Sequence, residues 1–141
     1  MLRKLNCALI VDEDRATNIF NKMVVSRHAS FKKVDSVQNT EGAIEYLQSI
    51  DGREVIKPDA IFIGYAATGL NGNDFFVQFN QLNRSITKGV KIFIMAPHCD
   101  PKILKNSGIK YPIAELIKVP LSFPVLEKVL EKHFLISNFT K

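Results

Sequence analysis

Three acidic residues in a row, Asp12-Glu13-Asp14, follow the apolar run Ala8-Leu9-Ile10-Val11. Hard oxygen ligands at the end of a buried strand suit a divalent cation, or a phosphoryl group held with one. A second apolar run, Ala60-Ile61-Phe62-Ile63, ends instead at Gly64, which carries no side chain. In an open α/β sheet, ligands bind outside the carboxyl ends of the strands. One half of such a site would be acidic, and the other half would be empty.

Other residue types that could do chemistry have ordinary readings. His28, His98 and His133 show no metal-ligand spacing, and the two cysteines, Cys7 and Cys99, make no CxxC or Cys/His pattern. Neither zinc nor a disulfide is expected, and Cys7 reads as a small buried hydrophobe. The hydroxyls of Tyr65, Thr68, Ser85 and Thr87 fit loop chemistry. Asp59 would stand at the start of its strand, about five residues of ~3.3 Å from the site. Gly64, Gly69 and Gly72 form neither a dinucleotide fingerprint nor a P-loop. Phe75, Phe76 and Phe79 recur at helical spacing and read as core.

The elements that must position these residues follow from hydrophobic periodicity. Strands are expected at Cys7–Val11, Phe31–Val37, Asp59–Ile63, Val90–Met95 and Ile113–Val119. Between them, helices are expected from about Thr17 to His28, with Ile19, Phe20, Met23 and Val24 on the core stripe, and from Thr40, the expected N-cap, to near Gly52. A third helix carries Phe75, Phe76, Phe79 and Leu82. A weaker one is expected at Pro101–Asn106. The last is capped by Ser122 and buries Val125, Leu126, Val129, Leu130 and Phe134. Tyr65–Asn73 reads as a loop, and the tail Ser137–Lys141 is expected to fray. Alternating strands and helices predict a three-layer α/β fold with a parallel sheet covered on both faces.

The 141 residues suit one domain. No run approaches the ~18 apolar residues of a membrane span. The basic start, Met1 to Asn6, precedes an apolar run too short for a signal peptide, so a cytoplasmic location is expected. The net charge of +5 is spread along the chain. That favours solubility over a nucleic-acid surface, with a patch for an acidic partner left open.

In order and spacing, Leu9-Ile10-Val11-Asp12-Glu13-Asp14, Pro58-Asp59 before the third strand, Gly69-Leu70-Asn71-Gly72, and Pro120 after the fifth strand resemble the receiver domain of two-component response regulators. Asn18-Ile19-Phe20-Asn21-Lys22 is also similar to the first helix of some bacterial receivers. The resemblance covers nearly the whole chain. It implies a CheY-like, flavodoxin-like (βα)5 fold with a five-stranded parallel sheet of order 2-1-3-4-5. It places Asp12 and Glu13 on the Mg²⁺-holding positions, and implies a cis Val119-Pro120 bond. It places Gly64 where the phosphoacceptor aspartate stands, Ala96 where a hydroxyl residue stands, and Val119 where a lysine stands. The usual switch aromatic is Leu116. Glycine has no carboxylate to form an acyl phosphate. Ala96 cannot hydrogen-bond a phosphoryl group, and Val119 cannot neutralise one. Lys118 is one residue early, so it should face the other side of the strand unless the strand bulges.

The expected protein is a degenerate receiver without enzymatic activity. It would be a phosphorylation-independent interaction module of two-component (phosphorelay) signalling, with at most weak residual Mg²⁺ binding by Asp12 and Glu13. Its expected partner is a signalling protein, such as a histidine kinase or an output protein, bound through residues 100–134. Two alternatives stay open: a receiver phosphorylated at a non-standard residue with Mg²⁺, and a basic nucleic-acid-binding module. No DNA-binding domain follows Lys141, so direct transcriptional output is not expected.

Overall fold

A computed structural model describes residues 5–52, 56–69, 74–97 and 113–134. Strands β1 (Leu5–Val11), β2 (Phe31–Val37), β3 (Ala60–Gly64), β4 (Lys91–Ala96) and β5 (Glu115–Lys118) form one sheet of order β2-β1-β3-β4-β5. All four pairings are parallel. Helices α1 (Arg15–Arg27), α2 (Thr40–Gln48), α3 (Asp74–Asn80), α4 (Arg84–Thr87) and α5 (Phe123–Phe134) connect or follow the strands. The expected fold class and strand order are both found.

Side chains alternate across a strand, and here the alternation divides two cores. Ala8, Ile10, Phe62, Phe93, Met95 and Ile117 face one way and pack with Val25 of α1 and Leu126, Val129 and Leu130 of α5. Leu9, Val11, Ile61, Ile63, Ile92 and Ile94 face the other way and meet Ala43, Ile44 and Leu47 of α2 and the three phenylalanines of α3. The central strands are buried on both faces, which is why they read as unbroken apolar runs.

Helix α1 is rotated from its expected setting. Its buried line is Asn18, Asn21 and Val25, continuing to His28 at the C-cap. Ile19, Phe20 and Met23 face solvent, at 58%, 42% and 44% exposure, and only Val24 of the expected stripe packs against the core. The reason lies at the helix start. Asp14 caps the helix by accepting from the Thr17 amide at 2.8 Å. From there, Asn18 reaches under the helix to donate to the carbonyls of Asp12 (3.0 Å) and Val37 (2.7 Å). Buried carbonyls need partners, and that requirement sets the helix rotation over the apolar pattern.

Three smaller expectations are also corrected. The N-cap of α2 is Asn39, whose side chain accepts from the Gly42 amide at 2.7 Å. Thr40 is instead buried in the first turn, its hydroxyl donating to the Ala67 carbonyl at 2.6 Å. The start of the expected loop, Tyr65–Thr68, is a turn of 3-10 helix, and α4 lies where no helix was expected. Ser122 does cap α5: its hydroxyl accepts from the Val125 amide at 3.3 Å. Leu70–Gly72 of the turn motif, His98, Cys99, the helix expected at Pro101–Asn106, residues 100–112 of the partner face, and the tail from Ser137 fall outside the described residues.

Candidate functional site at the strand ends

Register brings the site together. Val11 pairs with Ile63, so Asp12 and Gly64 emerge side by side from β1 and β3. Gly64 pairs with Met95, and Ala96 pairs with Lys118. The Val119 amide donates to the Ala96 carbonyl at 2.9 Å, which sets Val119 just beyond β5. The Val119-Pro120 bond is cis, as expected.

The Asp12 carboxylate leans over Gly64. A Cβ placed on Gly64 would lie 2.9 Å from Asp12 Oδ2. Gly64 has φ −65° and ψ 141°, a conformation open to any residue. Its lack of a side chain therefore serves close approach rather than backbone shape. Asp12 Oδ1 accepts from the Asp14 amide at 2.9 Å, and among the described residues Oδ2 has no donor. Burial is the main cause that raises the Asp12 carboxyl above its ordinary value. The Asp14 amide opposes this, and the Asp14 and Glu13 carboxylates add to it. Asp14 itself is held below its ordinary value by the Thr17 hydroxyl and amide.

Asp12 and Gly64 line a cavity of about 240 Å³. Thr17 stands beside Asp12, and the rest of the wall comes from Tyr65, Ala66, Met95, Pro97 and Val119. Behind the wall, the fully buried Asn21 points its amide at Met95 Sδ, 3.5 Å away, and its Oδ1 has no partner among the described residues. Ala96 is buried beside the cavity and does not line it. Lys118 is exposed. The β4–β5 register runs without a bulge from Phe93↔Glu115 to Ala96↔Lys118, so nothing turns Lys118 toward Asp12.

Glu13 does not join Asp12. It lines a separate cavity of about 120 Å³ with Asn39, Glu41 and Asp74. Mg²⁺ takes near-octahedral oxygen ligands. Here one carboxylate of the expected pair sits over Gly64 and the other lines a different cavity, beside α2 and α3. Among the described residues no group of three or more His, Cys, Asp or Glu is arranged to hold a metal.

Asp59 lies at the opposite end of the sheet. Its Oδ2 accepts from the amides of Asn6 (2.6 Å) and Cys7 (3.3 Å), tying β3 to the start of β1. Thr68 is buried, with its hydroxyl on the Tyr65 carbonyl at 2.6 Å. Sequence reasoning missed Thr17, Asn18, Asn21 and Met95. For Asn18 a signal was present: a polar residue one helical turn after a capping Asp.

This architecture matches solved structures. A two-component response regulator from Cytophaga hutchinsonii superposes with a TM-score of 0.78 at 20% identity, over 94% of this chain and 99% of that one. A response regulator receiver protein from Dyadobacter fermentans gives 0.76 at 17% identity, over 92% and 98%. A chemotaxis response regulator of Vibrio cholerae gives 0.66 at 14%, over 92% and 98%. The chain has the receiver-domain fold. No family model matches its sequence, and no curated protein does. Within this fold, the strand-end site holds a carboxylate over a glycine and a wall of apolar side chains. No helix among the described residues is long and apolar enough to cross a membrane.

Proposed function

We propose that the chain is a non-enzymatic, receiver-fold interaction module of signalling that works without phosphorylation. The observation that carries this reading is the Asp12 carboxylate lying over Gly64, where an acceptor side chain would emerge. Gly64 supplies no nucleophile. A phosphoryl group there would meet Asp12 at close range, with Val119 in place of a neutralising cation. Like charges brought together in a partly desolvated pocket repel strongly. The separation of Glu13 from Asp12 further weakens any Mg²⁺ bridge.

In this reading the fold presents surfaces to a signalling protein, either a kinase or an output protein. The expected face, residues 100–134, includes β5 and α5 among the described residues, with Phe123 and Val125 exposed at 44% and 38%. Leu116 packs against the α2–α3 side of the sheet and does not stand free as a swinging aromatic would.

Beryllofluoride with Mg²⁺, an acyl-phosphate mimic, tests the reading. Amide resonances of Gly64 and Ala96 are expected to stay unchanged at millimolar concentrations of both. Saturable shifts at those amides would sink the proposal. Gly64→Asp alone is expected to leave ordinary phosphorylation-driven switching absent, because Ala96 and Val119 still cannot engage the phosphoryl oxygens.

A further inference from the structure

The cavity over Gly64 pairs one carboxylate with an apolar wall, and that combination selects a class of ligand. We propose that it binds a small amphipathic organic cation, with a primary ammonium on Asp12 and an apolar body against Met95, Pro97 and Val119. This deepens the phosphorylation-independent reading and rests on it.

The charge argument comes first. Asp12 contributes a carboxylate with Oδ2 free of any donor among the described residues, and Glu13 and Asp14 follow it in the chain. Among the described residues no Lys or Arg lines the cavity, and Lys118 lies outside it. An anion would enter against this field, and a cation would enter with it. An ammonium supplies what Oδ2 lacks among the described residues, a charge-assisted donor. The Thr17 hydroxyl donates its proton to Asp14 Oδ2 at 2.6 Å, so its lone pairs remain to accept a second ammonium proton.

The wall then separates an organic cation from a metal. A divalent ion needs several oxygen ligands, and among the described carboxylates only Asp12 lines the cavity. Met95, Pro97, Ala66 and Val119 offer no oxygen side chain. They gain instead by removing hydrocarbon from water. Methionine also adapts its shape to an incoming apolar group. The volume sets the scale. At about 240 Å³ the cavity falls below the roughly 300–1,000 Å³ of drug-sized sites. A single ring or a short chain bearing one ammonium fits that size.

Benzylamine is the probe, with benzyl alcohol and benzoate as neutral and anionic matches in shape. Titrations followed by amide chemical shifts are expected to show saturable benzylamine binding at Gly64, Tyr65 and Val119. For so small a ligand the Kd should be on the order of millimolar. Benzyl alcohol should bind at least about tenfold more weakly, and benzoate should not bind. Asp12→Asn should abolish the preference for the amine. Val119→Lys keeps the carboxylate but places an ammonium of the chain's own in the cavity, and should lower benzylamine affinity about tenfold or more. Equal binding of amine and alcohol would overturn the proposal, as would no saturable shift in the wild-type protein or an unchanged preference in both variants. Beryllofluoride run in parallel separates the two readings. If it binds with Mg²⁺, the phosphorylation-independent function fails. If it does not bind and benzylamine also does not, the ligand proposal alone fails.

Discussion

The two corners of the strand-end site are built by different physics. At the β1 corner, polar groups hold one another: Asn18 ties the carbonyls of Asp12 and Val37, Asp14 caps α1, and Asp12 accepts from the Asp14 amide. At the β3–β5 corner, the walls are Met95, Pro97 and Val119, and Gly64 adds nothing but space. The acidic corner is fixed by directional bonds and the emptied one by packing. A site whose halves are held so differently can lose the chemistry of one half without disturbing the other, because the bonds that set Asp12 do not pass through Gly64, Ala96 or Val119.

The largest expected effect probes the packed corner. Met95 is almost fully buried on the α1–α5 side of the sheet. Met95→Ala should cost about 2–5 kcal/mol in urea unfolding, the range for truncating a buried methionine to alanine. Met95→Leu, which conserves volume, should cost less than about 1.5 kcal/mol. If this corner depends on polar contact instead, through the Asn21 amide on Met95 Sδ, the two variants will be equally destabilised.

The tied corner should respond next. Asn18→Ala removes both donors and leaves the Asp12 carbonyl without its side-chain partner, at a cost of about 1–3 kcal/mol. Amide exchange at Asp12 and Asp14 should speed up, while exchange at Ile94 and Met95 should follow only the global loss of stability. Equal local acceleration at both corners would show that they are one cooperative unit.

The same contrast explains what was legible in the sequence. The central strands and the two-sided core were readable because continuous apolar runs such as Ala60–Ile63 carry their own signal, whereas the sheet order came only with the receiver resemblance. That Lys118 faces away from the site followed from strand alternation once the resemblance had put the lysine position at Val119. The setting of α1 was not readable that way. Ile19, Phe20 and Met23 form an apolar stripe, yet the helix turns on Asn18, whose partners are carbonyls 6 and 19 residues away in the chain. Periodicity counts side chains and has no record of backbone groups that need donors. Thr40 was misplaced for a related reason, since its carbonyl partner, Ala67, lies in a turn read as a loop. The lean of Asp12 onto Gly64 was also hidden. An absent side chain does not show what moves into the space.

That occupation of space gives the subtlest test, Gly64→Ala. The new methyl would meet Asp12 Oδ2 at 2.9 Å, and the obstacle is the free end of a rotatable side chain. Asp12 should swing toward water. Its burial, the main cause of its raised pKa, would then diminish. In the wild-type protein the folded state holds the Asp12 proton above the ordinary value of 3.8, while the unfolded chain has released it. Proton uptake is then greater in the native state, so stability falls as pH rises from about 4 through the raised pKa, and the penalty is complete above it. Gly64→Ala should relieve part of that penalty. It should also gain a little by restricting the unfolded chain, since φ −65° suits alanine. The net change at pH 7 should be neutral or a gain within about 1 kcal/mol, larger at pH 7 than at pH 4, with the Asp12 carboxyl titrating at lower pH in NMR. A loss equal at both pH values would mean that the carboxylate cannot leave Gly64. The polar ties at β1 would then extend to the emptied corner, and the division between the two would be wrong.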